Sequence, residues 1–530
     1  MEISQIEISI EEVREHLKGL DISKASGPDG IPARLLKQCS EQIAPSLCAI
    51  FNNSLKSGKI PSEWKSADIT PIHKKDSKEP ADNYRPISLI PIVSKIQERC
   101  VFNHLYEHVI HLITLLQHEF LRNRSCVTQL LSVLHTIGQY LDKNVQTDVI
   151  YLDLAKAFDT VDHCILLSKL RAYGVLGQLL AWFSDYLNER VQRVVVDGAV
   201  SQWAPVTSGV LQGSLLGPLL FTIFINDLPD ATALYTDDTK AYRSIKEVED
   251  CISLQNTLTN MNAWAMRNNI RFNSSKCKVL SVTRKKSPII YGYKLNHVQL
   301  ERVTSEKDVG VIVTSSLSWD SHVHTIIAKA NKLLGLLKRT CPFLTDVSVR
   351  RSLYLALVKS QLCYATQVWS PAQFSLKSQL ERVQRRATRW ILGTRIGEMS
   401  YRDRLIKLNL LPLAYDRELK DLVFLYKCLN NYTDLNILNF VSFISHGRTR
   451  RSNSFNLTTP SCKTSTFQAS YFNRTVKLWN YVCTLSPPSK FSNPTAFQTF
   501  VAKHMFSLFR SVFDVNSPCT WSIVRSCPCH

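Results

Sequence analysis

Residues 233–240 read Ala233-Leu234-Tyr235-Thr236-Asp237-Asp238-Thr239-Lys240. A short apolar run leads into two adjacent aspartates, and a polar segment follows. This order predicts a strand, a tight turn bearing two carboxylates, and a second strand. Upstream, Val149-Ile150-Tyr151-Leu152-Asp153 also ends an apolar, strand-like run on an aspartate. Carboxylates from two strand ends suit a pair of magnesium ions about 3.5–4 Å apart, the arrangement used for phosphoryl transfer. A lone Asp-Asp pair would carry little weight, because most are solvated turns or helix caps.

The chain has 530 residues, enough for three or four domains or subdomains. Its 45% hydrophobic content permits a sizeable core. Lys and Arg total 64 against 44 Asp and Glu, a formal net charge of +20. Solvated lysines account for such a surplus in many basic proteins. A small acidic focus in a basic chain points further, to a polymerase or nuclease acting on a polyanion. Binding of that kind weakens as salt rises, through counterion release. None of the fifteen cysteines forms a Cys-x-x-Cys pair, which argues against a zinc ribbon or a thioredoxin motif. Cys519, Cys527, Cys529 and His530 crowd the C-terminus; they suffice for one zinc, and a frayed tail is the other reading. The first residues are acidic and lack a signal peptide's positive region. No apolar run approaches the roughly 20 residues of a membrane span. Reduced cysteines and an intracellular location, nucleus or cytoplasm, are therefore expected, with no membrane partner. Arg448-Thr449-Arg450-Arg451 is the only basic cluster that suggests a nuclear signal.

Residues 11–60 alternate helical patterns with the loop Ser26-Gly27-Pro28-Asp29-Gly30-Ile31-Pro32. Residues 61–90 are polar and marked by Pro61, Pro71, Pro80 and Pro86. Residues 92–143 predict two amphipathic helices around a loop at Arg122-Asn123-Arg124-Ser125. Helices are expected over residues 162–173 and 177–188, and Asp197-Gly198 signals a hairpin turn. Ser208 to Pro218 is a glycine-rich loop entering a helix that continues to Ile225. The order acidic strand, helices, glycine-rich loop, helix and acidic hairpin predicts a βαβ-like, mixed α/β core. Beyond residue 320 the pattern is helical. Leu380, Val383, Ala387, Trp390 and Ile391 fall on one helix face, and Arg382, Arg385, Arg386 and Arg389 occupy much of the rest. Residues 331–400 hold 12 Lys and Arg against 3 Asp and Glu. That surplus makes the arginines either a solvated face or a surface for a nucleic-acid backbone.

These segments, in this order, resemble the reverse transcriptase of non-LTR retrotransposons (LINE-type elements), most like the jockey-like group. The likeness extends over roughly residues 10–480. Ser23-Lys24-Ala25-Ser26-Gly27-Pro28-Asp29-Gly30 resembles the family's N-terminal motif, and Asn83-Tyr84-Arg85-Pro86-Ile87-Ser88-Leu89 its fingers motif. Leu152-Asp153-Leu154 through Phe158-Asp159-Thr160-Val161-Asp162-His163 resembles motif A. Ser208 to Pro218 resembles motif B, and Tyr235-Thr236-Asp237-Asp238 motif C. Asn273-Ser274-Ser275-Lys276-Cys277-Lys278 resembles motif D, and Lys307-Asp308-Val309-Gly310 the primer-grip region.

The resemblance implies an α+β right-hand polymerase with a helical C-terminal domain. Residues 1–60 would be an N-terminal extension, 61–145 fingers, and 146–290 the palm with motifs A to D. Residues 291–400 would be primer grip and thumb, and 401–530 a basic C-terminal domain. The implied enzyme is an RNA-directed DNA polymerase, a nucleotidyltransferase serving retrotransposition. Its partners would be an RNA template, a DNA primer or target, and deoxynucleoside triphosphates. Its cofactor would be two Mg2+ ions, with Mn2+ as a substitute. By resemblance Asp153, Asp237 and Asp238 are the catalytic, metal-holding carboxylates, and the Leu154 carbonyl contributes to the metal site. Lys74 or Lys75 and Arg85 would hold the triphosphate. Phe158 matches the steric gate against a 2′-hydroxyl, and Gln212 and Gly213 lie where a loop packs near the nucleotide. Lys276 is a candidate proton donor to the leaving pyrophosphate, with Lys278 as its competitor.

Three departures suggest a decayed copy. Thr236 stands where alanine is usual and would crowd the metal ligands. Leu211 stands where proline is usual, which would loosen its loop. The connection from Asn226-Asp227 to Asp237-Asp238 is short, which would pull the acidic hairpin out of register. Nothing matches the family's upstream endonuclease, so the chain reads as a partial open reading frame. The alternative is therefore a catalytically decayed, retrotransposon-derived RNA-binding protein that keeps the polymerase fold. A group II intron-type maturase is a more distant rival, lacking here its usual domain after the thumb.

Overall fold

The computed structural model describes residues 2–74, 77–229, 233–444 and 455–524. Its centre is a five-stranded sheet in the order Glu301–Val303, Lys278–Val282, Gln146–Leu152, Asp238–Ile245 and Ala233–Tyr235. The βαβ-like expectation needs correction here. Gln146–Leu152 pairs antiparallel with both neighbours, and only the edge pair Glu301–Val303 with Lys278–Val282 is parallel. Ala233–Tyr235 does run in the direction of Gln146–Leu152. The second strand of its own hairpin inserts between them. The insertion brings the turn and the end of Gln146–Leu152 to the same edge of the sheet.

The hairpin is in register. Leu152 faces Thr239 and Tyr151 faces Lys240, so Asp153 follows directly beside Asp238. The short connection has not displaced it.

Side chains alternate between two large cores, as period-two strands require. Val149, Leu280 and Val282 join one core with helix Cys126–Asp142 and the helices from Asp320 onward. Ile150, Leu152, Ala241 and Val279 join the other, with helices Ser40–Ser57, Ile92–Val109, Leu216–Ile225 and Val248–Arg267. Helix starts are locally specified. The Ser125 hydroxyl accepts from the Thr128 N–H in a capping box, and Asp162 accepts from the Ile165 N–H.

A second sheet joins Tyr84–Leu89, Ser66–His73 and Arg190–Val196. Its hairpin turn at Asp197-Gly198 has φ of 49° and 84°, the left-handed pair expected from that dipeptide. The two strands in the proline-marked segment were not legible in the sequence. Lys74 donates its N–H to the Asn83 carbonyl at 2.8 Å. Alternation from that bond leaves Pro71 opposite Pro86 at a non-hydrogen-bonded position. There a missing N–H costs no cross-strand bond.

Every cysteine among the described residues is free. Among those residues no helix is long and apolar enough to cross a membrane. Cys527, Cys529 and His530, Lys75, and the cluster Arg448–Arg451 lie outside the described residues.

Candidate active site

One open cleft of 840 Å³ lies at the carboxylate edge of the central sheet. Asp153, Asp237 and Asp238 line it, together with Leu154, Phe158, Lys74, Arg85, Gln212 and Lys276. Residues from motifs spread over some 200 positions thus meet at one place.

The strand ends explain the carboxylates. Asp153 follows Gln146–Leu152, and its main chain is fixed from the other side. The Asn273 N–H donates to the Asp153 carbonyl and the Ala155 N–H to the Arg271 carbonyl, both at 2.8 Å. These bonds use Asp153 and Ala155 and leave the Leu154 carbonyl out of the bridge. Asp237 and Asp238 come from the hairpin, where Tyr235 faces Asp238 across a two-residue turn. Burial, reinforced by Asp153, raises the Asp237 carboxyl above the usual range. Asp238 keeps solvent contact at the mouth of the cleft; the surrounding protein and then the Asp237 charge push it up to about 6. Three carboxylates that repel one another at one edge form a hard-oxygen donor set that a divalent cation would neutralise.

Thr236 occupies the first central position of the turn at φ 54°. Glycine is preferred there, and a β-branched residue at positive φ is an outlier. Its hydroxyl is buried and has no hydrogen-bond partner among the described residues. Strain in such a turn persists only where neighbours over-determine it, and Gln117 is such a neighbour. The Gln117 Oε1 accepts from the Thr236 N–H at 3.2 Å, the His118 N–H at 2.9 Å and the Glu119 N–H at 3.1 Å. The Leu234 N–H also donates to the Leu116 carbonyl at 2.9 Å. Residues 116–118 thereby lie along the edge strand of the hairpin.

Sequence reasoning missed Gln117 and Glu119, for neither carries a local pattern. Glu119 lines the cleft, and burial followed by the Asp237 and Asp238 charges pushes it up to about 7.

The Phe158 ring stacks on Phe221 with centroids 4.6 Å apart and meets Phe120 edge-on at 6.3 Å. Two aromatic neighbours thus hold the ring at the cleft wall. The Lys276 ammonium lies 3.0 Å from Asp153 Oδ2. Lys278 pairs instead with Glu301 on the neighbouring strand. Of the two lysines, Lys276 is the one in the cleft.

The glycine-rich loop packs across from Asp153. The Gln212 side-chain amide donates to Asp159 Oδ1 at 2.8 Å, and the Gln212 main-chain carbonyl accepts from the Ser88 N–H at 2.7 Å. Gly213 lies behind the cleft wall at φ 116°, and a Cβ there would sit 2.7 Å from the Ser88 carbonyl oxygen. Leu211 does not leave the loop loose. Its side chain is buried with Ala67 and Ile90, and its carbonyl accepts from the Ser214 hydroxyl at 3.0 Å. Gly209, at φ 90°, has the carbonyl oxygens of Phe158 and Asp159 2.8 Å from where a Cβ would stand. Gly209→Ala should push the loop off the Phe158 backbone. Any chemistry carried out in the cleft should fall about 10²-fold, the penalty of roughly 1 Å misplacement, with circular dichroism unchanged. Unaltered turnover would show that the close approach is unimportant.

The four arginines of helix Phe374–Leu392 separate. Arg382 is exposed, and Arg386 donates to Asn331 Oδ1 at 2.8 Å. Arg386 and Arg389 line an open groove of 810 Å³ with Lys338, Arg350 and Arg395. Arg385 turns away, over the Tyr401 ring. The helix is also covered on a second side, where Glu381, Gln384 and Thr388 are wholly buried.

Residues 72–311 match the family described as reverse transcriptase (RNA-dependent DNA polymerase). This chain contains a reverse transcriptase domain. Beyond the domain, it is 29% identical over 410 residues to the RNA-directed DNA polymerase from mobile element jockey of Drosophila melanogaster, covering 73% of this chain and 44% of that protein. It is 30% identical over 411 residues to the probable RNA-directed DNA polymerase from transposon BS of the same organism, covering 72% and 44%. The probable RNA-directed DNA polymerase from transposon X-element, also from that fly, is 29% identical over 409 residues. The chain thus spans less than half the length of these relatives. All of the cleft-lining carboxylates belong to the matched reverse transcriptase domain.

Proposed function

We propose that this chain is an RNA-directed DNA polymerase that extends a primer 3′-hydroxyl with deoxynucleotides. The observation that carries the reading is the meeting of Asp153, Asp237 and Asp238 with Arg85, Lys74 and Phe158 in one cleft. In this reading the central sheet is the palm, the sheet of Ser66–His73 and Tyr84–Leu89 belongs to the fingers, and the helices after Asp320 form the thumb. Two divalent cations, magnesium or manganese as substitute, would supply neutralisation of the attacking and leaving oxygens. Asp153, Asp237, Asp238 and the Leu154 carbonyl would hold them. Arg85 and Lys74 would orient the triphosphate, a task suited to a guanidinium's paired donors. Lys276 would release Asp153 and give a proton to the leaving pyrophosphate. Arg382, Arg386 and Arg389 would meet template or primer phosphates.

The Phe158 ring would lie under the sugar and exclude a 2′-hydroxyl. Phe158→Val should reduce discrimination against ribonucleotides by about 10²-fold, the scale on which a pocket rejects one added hydroxyl. Competitive incorporation of the two sugars measures it, and an unchanged ratio removes the gate assignment.

The strained, buried Thr236 favours one rival, a protein that keeps the fold and binds RNA without catalysis. Primer extension on an RNA template, with and without magnesium, separates the two. Metal-dependent incorporation supports the polymerase. Intact RNA binding with no incorporation supports the rival.

A further inference from the structure

Helix Ile10–Lys18 packs on helix Ile92–Val109, and none of the cleft-lining residues belongs to either helix. Each presents two ligand-type side chains one turn apart, Glu12 and His16 on the first and Cys100 and His104 on the second. Residues at that spacing share a helix face. The two pairs face each other. The ligand atoms of Glu12, His16 and Cys100 all lie within 4.8 Å of one another. His104 Nε2 is 3.5 Å from Glu12 Oε2, and His16 Nε2 is 4.0 Å from Glu12 Oε1. His16 Nε2 is buried and has no hydrogen-bond partner among the described residues. Cys100 is completely buried, whereas the His104 side chain is 37% exposed and leaves a route from solvent.

A buried thiol alone is an ordinary small hydrophobe. Two i,i+4 pairs converging from two helices, one nitrogen unpaired, form a donor set of a different kind. We propose that Glu12, His16, Cys100 and His104 form a structural zinc site that clamps the N-terminal helix to helix Ile92–Val109. One thiolate, one carboxylate and two neutral imidazoles match the ligand types and number of tetrahedral zinc. Binding would release the Cys100 thiol proton. The ion's two charges would then be balanced by Cys100 and Glu12, so no net charge is buried. Bonds of 2.0–2.3 Å place tetrahedral ligand atoms about 3.3–3.8 Å apart. Glu12, His16 and Cys100 would close by about 1 Å, within rotamer adjustment, and His104, already 3.5 Å from Glu12, would turn in from the solvent side. The clamped helix also carries Glu98, which accepts from the Leu215 N–H of the glycine-rich loop at 2.8 Å and the Tyr186 hydroxyl at 2.7 Å. The clamp would therefore anchor the N-terminal helix to an element that supports the cleft. The proposal stands apart from the polymerase reading.

The test is cobalt titration of the full-length protein stripped with chelator. One equivalent should develop tetrahedral d–d bands and a thiolate-to-cobalt charge-transfer band, both erased by zinc. Magnesium-type carboxylate sites give neither strongly. Cys100→Ser should abolish the charge-transfer band. His104→Gln, at a partly exposed position that preserves the fold, should weaken zinc binding by at least about tenfold. Absence of the bands in the unaltered protein overturns the proposal. So does a charge-transfer band that survives Cys100→Ser, or zinc affinity unchanged in His104→Gln.

Discussion

Asp237→Asn is expected to lower metal-dependent primer extension by about 10³-fold or more, the rate equivalent of losing several kcal/mol of charge stabilisation. The substitution keeps size and hydrogen-bonding capacity but removes one anionic oxygen donor. Asp237 lies in a two-residue turn whose backbone is held by strand pairing and by Gln117. Its loss should therefore leave the fold in place. RNA binding should change little, since one charge among a net +20 barely alters phosphate contacts. Extension assays and salt-dependent RNA binding, measured on the same preparations, make the comparison. Normal extension by Asp237→Asn would remove the site assignment. Lost RNA binding would instead indicate a structural role.

Asp308→Ala should destabilise the protein by about 3–5 kcal/mol, the usual result of breaking a buried ion pair from one side. Asp308 closes the strand Ser305–Asp308, and its carboxylate lies 2.5 Å from the Lys240 ammonium. Both side chains are almost entirely buried, 1% and 2% exposed. Gln129 also accepts from Lys240, at 2.7 Å, but a neutral amide cannot balance the charge. Lys240 lies two residues beyond Asp238 on the same strand, so the pair ties the strand Ser305–Asp308 to the strand that begins at Asp238. Denaturant unfolding of the variant measures the loss. The double variant Asp308→Ala with Lys240→Met should recover much of it, because the stranded charge is gone. A small loss in the single variant, with no recovery in the double, would mean the pair is not closed in solution.

The acidic hairpin was legible because its signal is local. An apolar run, two turn-compatible aspartates and a polar strand specify their own pairing, and Tyr235 does face Asp238. The helix starts at Ser125 and Asp162 were legible for the same reason, as was the Asp197-Gly198 turn. The strands Ser66–His73 and Tyr84–Leu89 were not. Pro71 and Pro86 argue against a strand when read singly, and only their mutual pairing makes them harmless. The topology of the central sheet was hidden in the same way. Segment order is compatible with a parallel crossover or an inserted hairpin, and which edge accepts the hairpin is a long-range choice.

Local pattern in the sequence by itself put Asp153, Asp237 and Asp238 at strand ends and marked the glycine-rich loop, whereas Phe158 and Arg85 stood out only through the family resemblance. Tertiary structure alone decided that they share one cleft. It set Lys276 beside Asp153 in the cleft and paired Lys278 with Glu301 on the next strand. It also brought in Gln117 and Glu119, paired Lys240 with Asp308, and set Glu12 and His16 against Cys100 and His104. The physical reason is separation along the chain. Turns, caps and strand periodicity act over a few residues, whereas these contacts form only when cores that bury both faces of the central sheet bring distant segments together.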